Sequence, residues 1–167
     1  MDNPKIEIIV KDYGTMKAEL YPETAPITVA NFLKLIEEKF FDGLIFHRVI
    51  PGFMIQGGGF TEDFRQKHAD SIKGEFEANG VKNDLKHTRG VLSMARTNVP
   101  DSASSQFFVM HRDAPHLDRQ YAAFGKLTDG FDVLDDIAAT RTGTRGFYMQ
   151  DVPVRNVVIE TIKLSEE

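Results

Sequence analysis

Lys5–Val10 and Thr15–Leu20 are short runs rich in strand-forming residues, separated by Asp12-Tyr13-Gly14. A glycine where positive φ is needed makes this a hairpin signal. The pattern then changes period: Val29, Phe32, Leu33, Ile36 and Phe40 keep helical spacing. Thr24-Ala25-Pro26 supplies the start, Thr24 as cap and Pro26 where no N–H is needed, and Asp42-Gly43 supplies the stop. Strand-like runs follow at Leu44–Val49, Phe53–Gln56, Val91–Met94, Phe107–Met110 and Ala122–Lys126. A second, shorter helix is predicted over Asp132–Ala139, with Val133, Leu134 and Ile137 on one side. Val154–Leu164 ends the pattern as a strand in which Val157, Ile159 and Thr161 alternate with Val158, Glu160 and Ile162. No repeat, low-complexity segment or linker interrupts residues 1–167, which read as one domain. Many short strands with two helices predict a mainly β fold, a closed barrel whose open ends the helices cover.

Composition narrows the setting. A chain of 167 residues can build one real core and hardly two. Thirteen phenylalanines and no tryptophan point to a core built on Phe rings. The net charge of −5 argues against a nucleic-acid partner held through phosphates. No apolar run approaches a membrane span, and the first residues lack a signal-peptide pattern. With no cysteine there is no disulfide, thiol catalysis or thiolate metal site. A cytoplasmic protein fits best.

Several chemistries can be weighed on the residues. The five histidines (47, 68, 87, 111 and 116) form no His-x-x-x-His pair or zinc motif and read as surface or capping groups. Ser102, Ser104 and Ser105 have no nucleophile elbow around them and read as a polar loop before the Phe107 strand. Gly57-Gly58-Gly59 is no phosphate cradle; a tight turn or close backbone approach explains it better. Glu37-Glu38 and Asp135-Asp136 sit in predicted helices, where neighbours diverge, and read as solvated faces.

The informative residues recur in three blocks. The first is Phe46-His47-Arg48-Val49-Ile50-Pro51-Gly52-Phe53-Met54-Ile55-Gln56-Gly57-Gly58. Run extended after the Pro51-Gly52 turn, it places Ile50, Met54 and Gln56 on one face and Phe53 and Ile55 on the other. A guanidinium beside an exposed apolar patch suits a peptide backbone and an apolar ring. The second block is Gly90-Val91-Leu92-Ser93-Met94-Ala95-Arg96 with Ser104-Ser105-Gln106-Phe107-Phe108-Val109; the third is His116-Leu117-Asp118, Tyr121 and Phe124-Gly125-Lys126. In these blocks, in Thr24-Ala25-Pro26 with Asn31-Phe32, and in Leu85-Lys86-His87-Thr88, the chain resembles the cyclophilins. These are peptidyl-prolyl cis-trans isomerases, and the short bacterial cytoplasmic forms are most similar. The resemblance runs from the Lys5 strand to the Val154–Leu164 strand. It implies an eight-stranded antiparallel barrel, two capping helices and an outer groove that binds proline.

Residue by residue, the resemblance makes Arg48 the catalytic arginine. Phe53, Met54, Phe108 and Leu117 become the apolar pocket for the proline ring. Gln56 hydrogen-bonds the substrate backbone, with Gln106 its neighbour, and Ala95 and Arg96 bind peptide through main-chain groups. Alone, Phe53, Met54 and Phe108 would read as core; beside Arg48 and Gln56 in the family order they read as groove. The chain departs from many eukaryotic members at Arg96 (asparagine there), Tyr121 (histidine) and His116 (tryptophan), and Thr61–Ser71 lacks their glycine-rich loop. Tyr121 can still wall an apolar pocket with its hydroxyl wet. In the family the tryptophan packs on cyclosporin and donates its indole N–H, so His116 implies weak cyclosporin A binding.

The chemistry suits these residues. An X–Pro bond isomerises over tens to hundreds of seconds because rotation breaks amide resonance, a barrier of about 18–20 kcal/mol. In the twisted transition state the prolyl nitrogen regains its lone pair, and a fixed guanidinium can donate to it more strongly than to the planar amide. No covalent intermediate, metal or cofactor is required. The expected partners are proline-containing peptides and unfolded or folding proteins, handled by a monomer. A peptide-binding module or chaperone without catalysis, and an interaction domain with an idle groove, are the competing readings. The arginine argues against the first, and cis-to-trans conversion of a short X–Pro peptide separates all three.

Overall fold

The computed structural model describes residues 3–145 and 149–165. β1 (Lys5–Val10) and β2 (Gly14–Leu20) form the expected hairpin, paired from Lys5–Glu19 to Val10–Gly14. Its turn needs two left-handed residues, Asp12 at φ 67° and Gly14 at φ 126°. Helix α1 (Pro26–Glu37) follows, then β3 (Arg48–Ile50), β4 (Met54–Gly57), β5 (Val91–Met94), β6 (Phe107–Met110) and β7 (Ala123–Asp129). Helix α2 (Phe131–Ala138), β8 (Thr142–Arg145), β9 (Met149–Pro153) and β10 (Ile159–Leu164) complete the chain.

Eight strands make one antiparallel sheet in the order β10-β1-β2-β7-β5-β6-β4-β3. This is the expected mainly β architecture with two helices, but the sheet curls into a half-barrel rather than closing through a continuous ladder. Its two ends meet at a short seam. Phe46 N–H donates to the Val157 carbonyl and Ile159 N–H to the Leu44 carbonyl, both inside 3 Å. The long strand expected over Leu44–Val49 is therefore split, its first half serving the seam and its second half, β3, serving the sheet. The strand expected over Val154–Leu164 begins only at Ile159. The β8–β9 pair, a separate two-stranded sheet, has no counterpart in the hydrophobic pattern, because β8 is mostly exposed and β9 buries only Val152 and Pro153 at its end.

Helix α1 ends earlier than its spacing suggests. Phe40 and Phe41 lie beyond Glu37, in a turn where Lys39 adopts φ 56°, and both rings are nevertheless buried. Thr24 does not cap the helix. Glu75 does so from a distant loop, accepting at 2.6 Å from the Thr28 N–H and at 2.8 Å from its hydroxyl. The core is aromatic, as the phenylalanine count requires. Phe32 contacts Phe41, Phe124 and Phe107 at centroid distances of 4.9, 5.0 and 5.3 Å. Phe107 also meets Phe41 and Phe46 edge-on, a favoured ring arrangement.

Candidate active site

Strand pleating builds the site. Arg48 pairs with Gln56, Gln56 with Phe108, and Phe108 with Ser93, so four neighbouring strands carry one cross-strand row. Residues one step away on these strands, Val49, Ile55, Phe107, Val109 and Leu92, point inward and are fully buried. The row must therefore face outward. Ile50, Met54 and Gln56 share this outer side and Ile55 faces the core, as alternation requires. Phe53 departs from the expected face. It belongs to the turn before β4, where alternation does not apply, and packs with Met54 on the outer side.

Above this row lies a pocket of about 140 Å³, lined by Arg48, Phe53, Met54, Gln56, Ala95, Arg96, Phe108, Leu117 and Tyr121. It has an apolar floor and wall and a polar rim on one side. The Arg48 Nη1 donates to Gln56 Oε1 at 3.4 Å, and Gln56 Nε2 donates to Gln106 Oε1 at 3.0 Å. Gln106 thus stands behind the pocket and orients Gln56. His116 is exposed at the mouth, its ring 5.7 Å from that of Phe53. The groove between α1 and β10 is larger, about 480 Å³, and is lined by aliphatic side chains with Lys34, Glu37, Lys39 and Lys163; it contains none of the residues of the three sequence blocks.

Arg96 contributes more than main chain. Its guanidinium lies between two rings, 4.6 Å from Phe76 and 4.7 Å from Tyr121, and donates to the Thr97 and Gln120 carbonyls at 2.9 and 2.6 Å. These cation–π contacts hold the Tyr121 wall upright, and Phe108 braces it edge-on at 5.8 Å. The close backbone approach inferred for the three glycines is present. A Cβ on Gly57 would stand 2.7 Å from the Ile45 carbonyl, and one on Gly59 would collide with Gln106.

Of the histidines expected to be surface or capping groups, only His68 and His116 are exposed; His47, His87 and His111 are buried, and His111 accepts a turn N–H, that of Gly52. His87 is buried beneath the pocket. Its Nε2 lies 2.8 Å from Ser93 Oγ and its Nδ1 3.2 Å from Asp118, and the ring stacks under Phe108 at 6.0 Å. Burial holds its pKa below the usual histidine value despite the opposing pull of Asp118. His47, beside Arg48, packs on Phe60 at 4.6 Å and is pushed down to about 4 by burial and then by the neighbouring guanidinium. Asp135 is not merely solvated, since it pairs with Arg89 and His111. The support under the pocket, buried His87, Ser93 and Phe76 with half-buried Asp118, is what the sequence left unmarked. The Leu85–Thr88 match drew attention to His87, but no pattern signals that a polar side chain in a loop will be buried.

Comparison with known proteins gives the family. The family model "Cyclophilin type peptidyl-prolyl cis-trans isomerase/CLD" matches residues 5–164. A peptidyl-prolyl cis-trans isomerase of Acinetobacter baylyi is 45% identical over 157 residues, covering 90% of this chain and 80% of that one. Peptidyl-prolyl cis-trans isomerase B of Escherichia coli is 42% identical over 164 residues, covering 93% and 96%. A crystal structure of a Cryptosporidium parvum cyclophilin-type isomerase superposes with a TM-score of 0.81 at 30% identity over 99% of both chains. The same protein has been crystallised in the presence of the dipeptide Ala-Pro.

Proposed function

The chain belongs to the cyclophilin-type peptidyl-prolyl cis-trans isomerases, and we propose that it turns over X–Pro bonds in the Arg48 pocket by stabilising the twisted amide without a covalent step. One observation carries this reading: a guanidinium in pleat register with Gln56 and Phe108, across an apolar slot the size of a small ring. The slot formed by Phe53, Met54, Phe108 and Leu117 holds the prolyl ring by burial. Gln56, oriented by Gln106, and the Ala95–Arg96 main chain hold the peptide on one flank while the other flank rotates. As the prolyl nitrogen becomes pyramidal, Arg48 gains an acceptor that the planar amide lacked. Its contribution is thus larger in the transition state than in the bound ground state, as catalysis requires. The reading extends to the other assignments: one isomerase domain over residues 1–167, unfolded or folding proteins as clients, weak cyclosporin A binding, a cytoplasmic setting and a monomer. Among the described residues no helix is long and apolar enough to cross a membrane.

The deciding experiment follows cis-to-trans conversion of a short Ala-Pro-containing peptide by wild type and Arg48→Ala. Wild type should accelerate conversion, and Arg48→Ala should lose roughly a hundredfold or more, the scale of one transition-state donor. Peptide affinity should change far less. A wild-type protein that binds the peptide without accelerating its isomerisation is a binding module, and the proposal fails.

A further inference from the structure

Phe53 reaches the pocket from a four-residue turn, Ile50-Pro51-Gly52-Phe53, closed by a 3.0 Å bond from the Phe53 N–H to the Ile50 carbonyl. Proline at the second position and Gly52 at φ 81° in the third make this a type II turn. Type I and type II turns differ chiefly by a flip of the central peptide, here Pro51–Gly52, and the flip reverses the direction of the Gly52 N–H. Pro51 is compatible with either and Gly52 favours type II without excluding type I. That preference is reinforced from outside. His111, one residue past β6, accepts the Gly52 N–H at Nδ1 over 2.8 Å. The imidazole can accept there only as the tautomer whose proton is on Nε2. That atom lies 3.0 Å from Asp135 Oδ1 on α2, and Asp135 is held in turn by two bonds from Arg89, at 2.8 and 2.9 Å. The His111 N–H also donates to the Phe53 carbonyl at 2.9 Å.

We propose that His111, held in one tautomer by Asp135 and Arg89, is a positioning residue that locks the Pro51–Gly52 peptide and so aims Phe53 into the proline pocket. This rests on reading that pocket as the proline site. His111 touches no substrate; it acts through the turn. Losing its acceptor lets the central peptide flip, Gly52 can relax to negative φ, and Phe53 swings off the wall it shares with Met54. The effect falls on peptide affinity, whereas Arg48 and Gln56 lie beyond the turn on the β3–β4 ladder, held there by the Arg48–Gln56 and Val49–Ile55 pairs, and keep their chemistry.

The test uses isotope-labelled full-length protein and an Ala-Pro-containing peptide. Wild type should show a scalar coupling between the Gly52 amide nitrogen and His111 Nδ1, transmitted through the hydrogen bond, and the Nε2–H tautomer. His111→Phe keeps ring bulk but removes the acceptor. It should abolish the coupling and weaken peptide binding roughly three- to tenfold, the net worth of about one hydrogen bond, with kcat little changed. His111→Asn, whose side-chain oxygen occupies nearly the place of Nδ1, should restore most of the affinity. If His111→Phe does not fold, Asp135→Ala tests the same link by releasing the tautomer, and should weaken binding in the same direction. A wild-type protein protonated at Nδ1, or a folded His111→Phe or Asp135→Ala protein with unchanged affinity, overturns the proposal. These readouts are independent of turnover, so an inactive Arg48 mechanism would not be mistaken for a failed latch.

Discussion

At the scale of single residues, the proposed mechanism separates chemistry from affinity. Arg48 is exposed at the rim, with Gln56 as its hydrogen-bond partner within the pocket. Arg48→Lys should therefore resemble Arg48→Ala in a turnover assay, because a point ammonium cannot reproduce the planar fork that reaches Gln56 and the prolyl nitrogen together. Near-normal rates in the lysine variant would show that charge alone is sufficient. His116 belongs to the affinity side. It lies at the mouth against Phe53, outside the pocket lining, so a large ligand that spreads over the rim meets it and a prolyl ring does not. An imidazole there should weaken cyclosporin A binding by roughly ten- to hundredfold relative to an indole, the value of a hydrogen bond and some aromatic contact. His116→Trp should recover part of this in an inhibition titration while leaving peptide turnover almost unchanged. Equal inhibition of the two proteins would assign the sensitivity elsewhere, with Tyr121 the next residue to change.

At the scale of elements, α1 shows how a local signal can be displaced by a distant one. Thr24, Ala25 and Pro26 carry the start signal, yet the first-turn N–H of Thr28 is met by the Glu75 carboxyl, which is almost fully buried. The Glu75 segment is itself fastened by Asn83, whose side-chain amide donates to the Glu75 and Ala123 carbonyls at 2.9 Å each. Glu75 thus ties the helix to the loop that leads toward His87. Glu75→Ala should cost about 2–3 kcal/mol in urea unfolding, since it strands a buried N–H and a buried hydroxyl. Thr24→Ala should be close to neutral. If the threonine change proves the costlier of the two, the cap has been assigned to the wrong residue. The expected strands over Val91–Met94 and Phe107–Met110 have the observed bounds, because central strands buried on both faces show as continuous apolar runs. Leu44–Val49 was legible as apolar but not as divided, because the division depends on what Val157–Ile159 brings to its first half.

At the scale of the whole molecule, buried histidines make folding sensitive to acid. His47 has its pKa held at about 4, and His87 is lowered in the same direction, whereas an unfolded histidine titrates near 6.5. The unfolded chain therefore binds more protons than the folded one between those values, so stability is fully present above about pH 6.5 and declines as the pH falls toward 4. For His47 alone the full loss is about 3 kcal/mol. Melting temperatures followed by circular dichroism should fall steadily over that window, and His47→Gln should flatten part of the slope. A melting temperature constant from pH 7 to 4.5 would contradict the burial of these rings as charged-state penalties. The carboxylate of Asp135, held low first by its Arg89 hydrogen bonds, acts in a separate window. Its contribution is present above the ordinary aspartate value and is lost only below it.

The sequence by itself determined both helices, most strands of the large sheet, the aromatic core and the family to which the chain belongs, but not the β8–β9 pair. These depend on period, composition and motif order, all of which are local or one-dimensional. It also named the eleven candidate residues; nine line the pocket, while Gln106 stands behind it and His116 at its mouth. Tertiary structure alone decided how those residues are held. The face of Phe53 depends on a turn, the position of Tyr121 on an arginine between two rings, and the orientation of Gln56 on a neighbour across the sheet. The burial of His47, His87 and His111, and the ties of His87 to Asp118 and of His111 to Asp135, likewise arise from contacts between segments far apart in the chain. Polar residues in loops carry no periodic signal. Which of them end up buried and paired is settled only when the barrel brings their partners within hydrogen-bond reach.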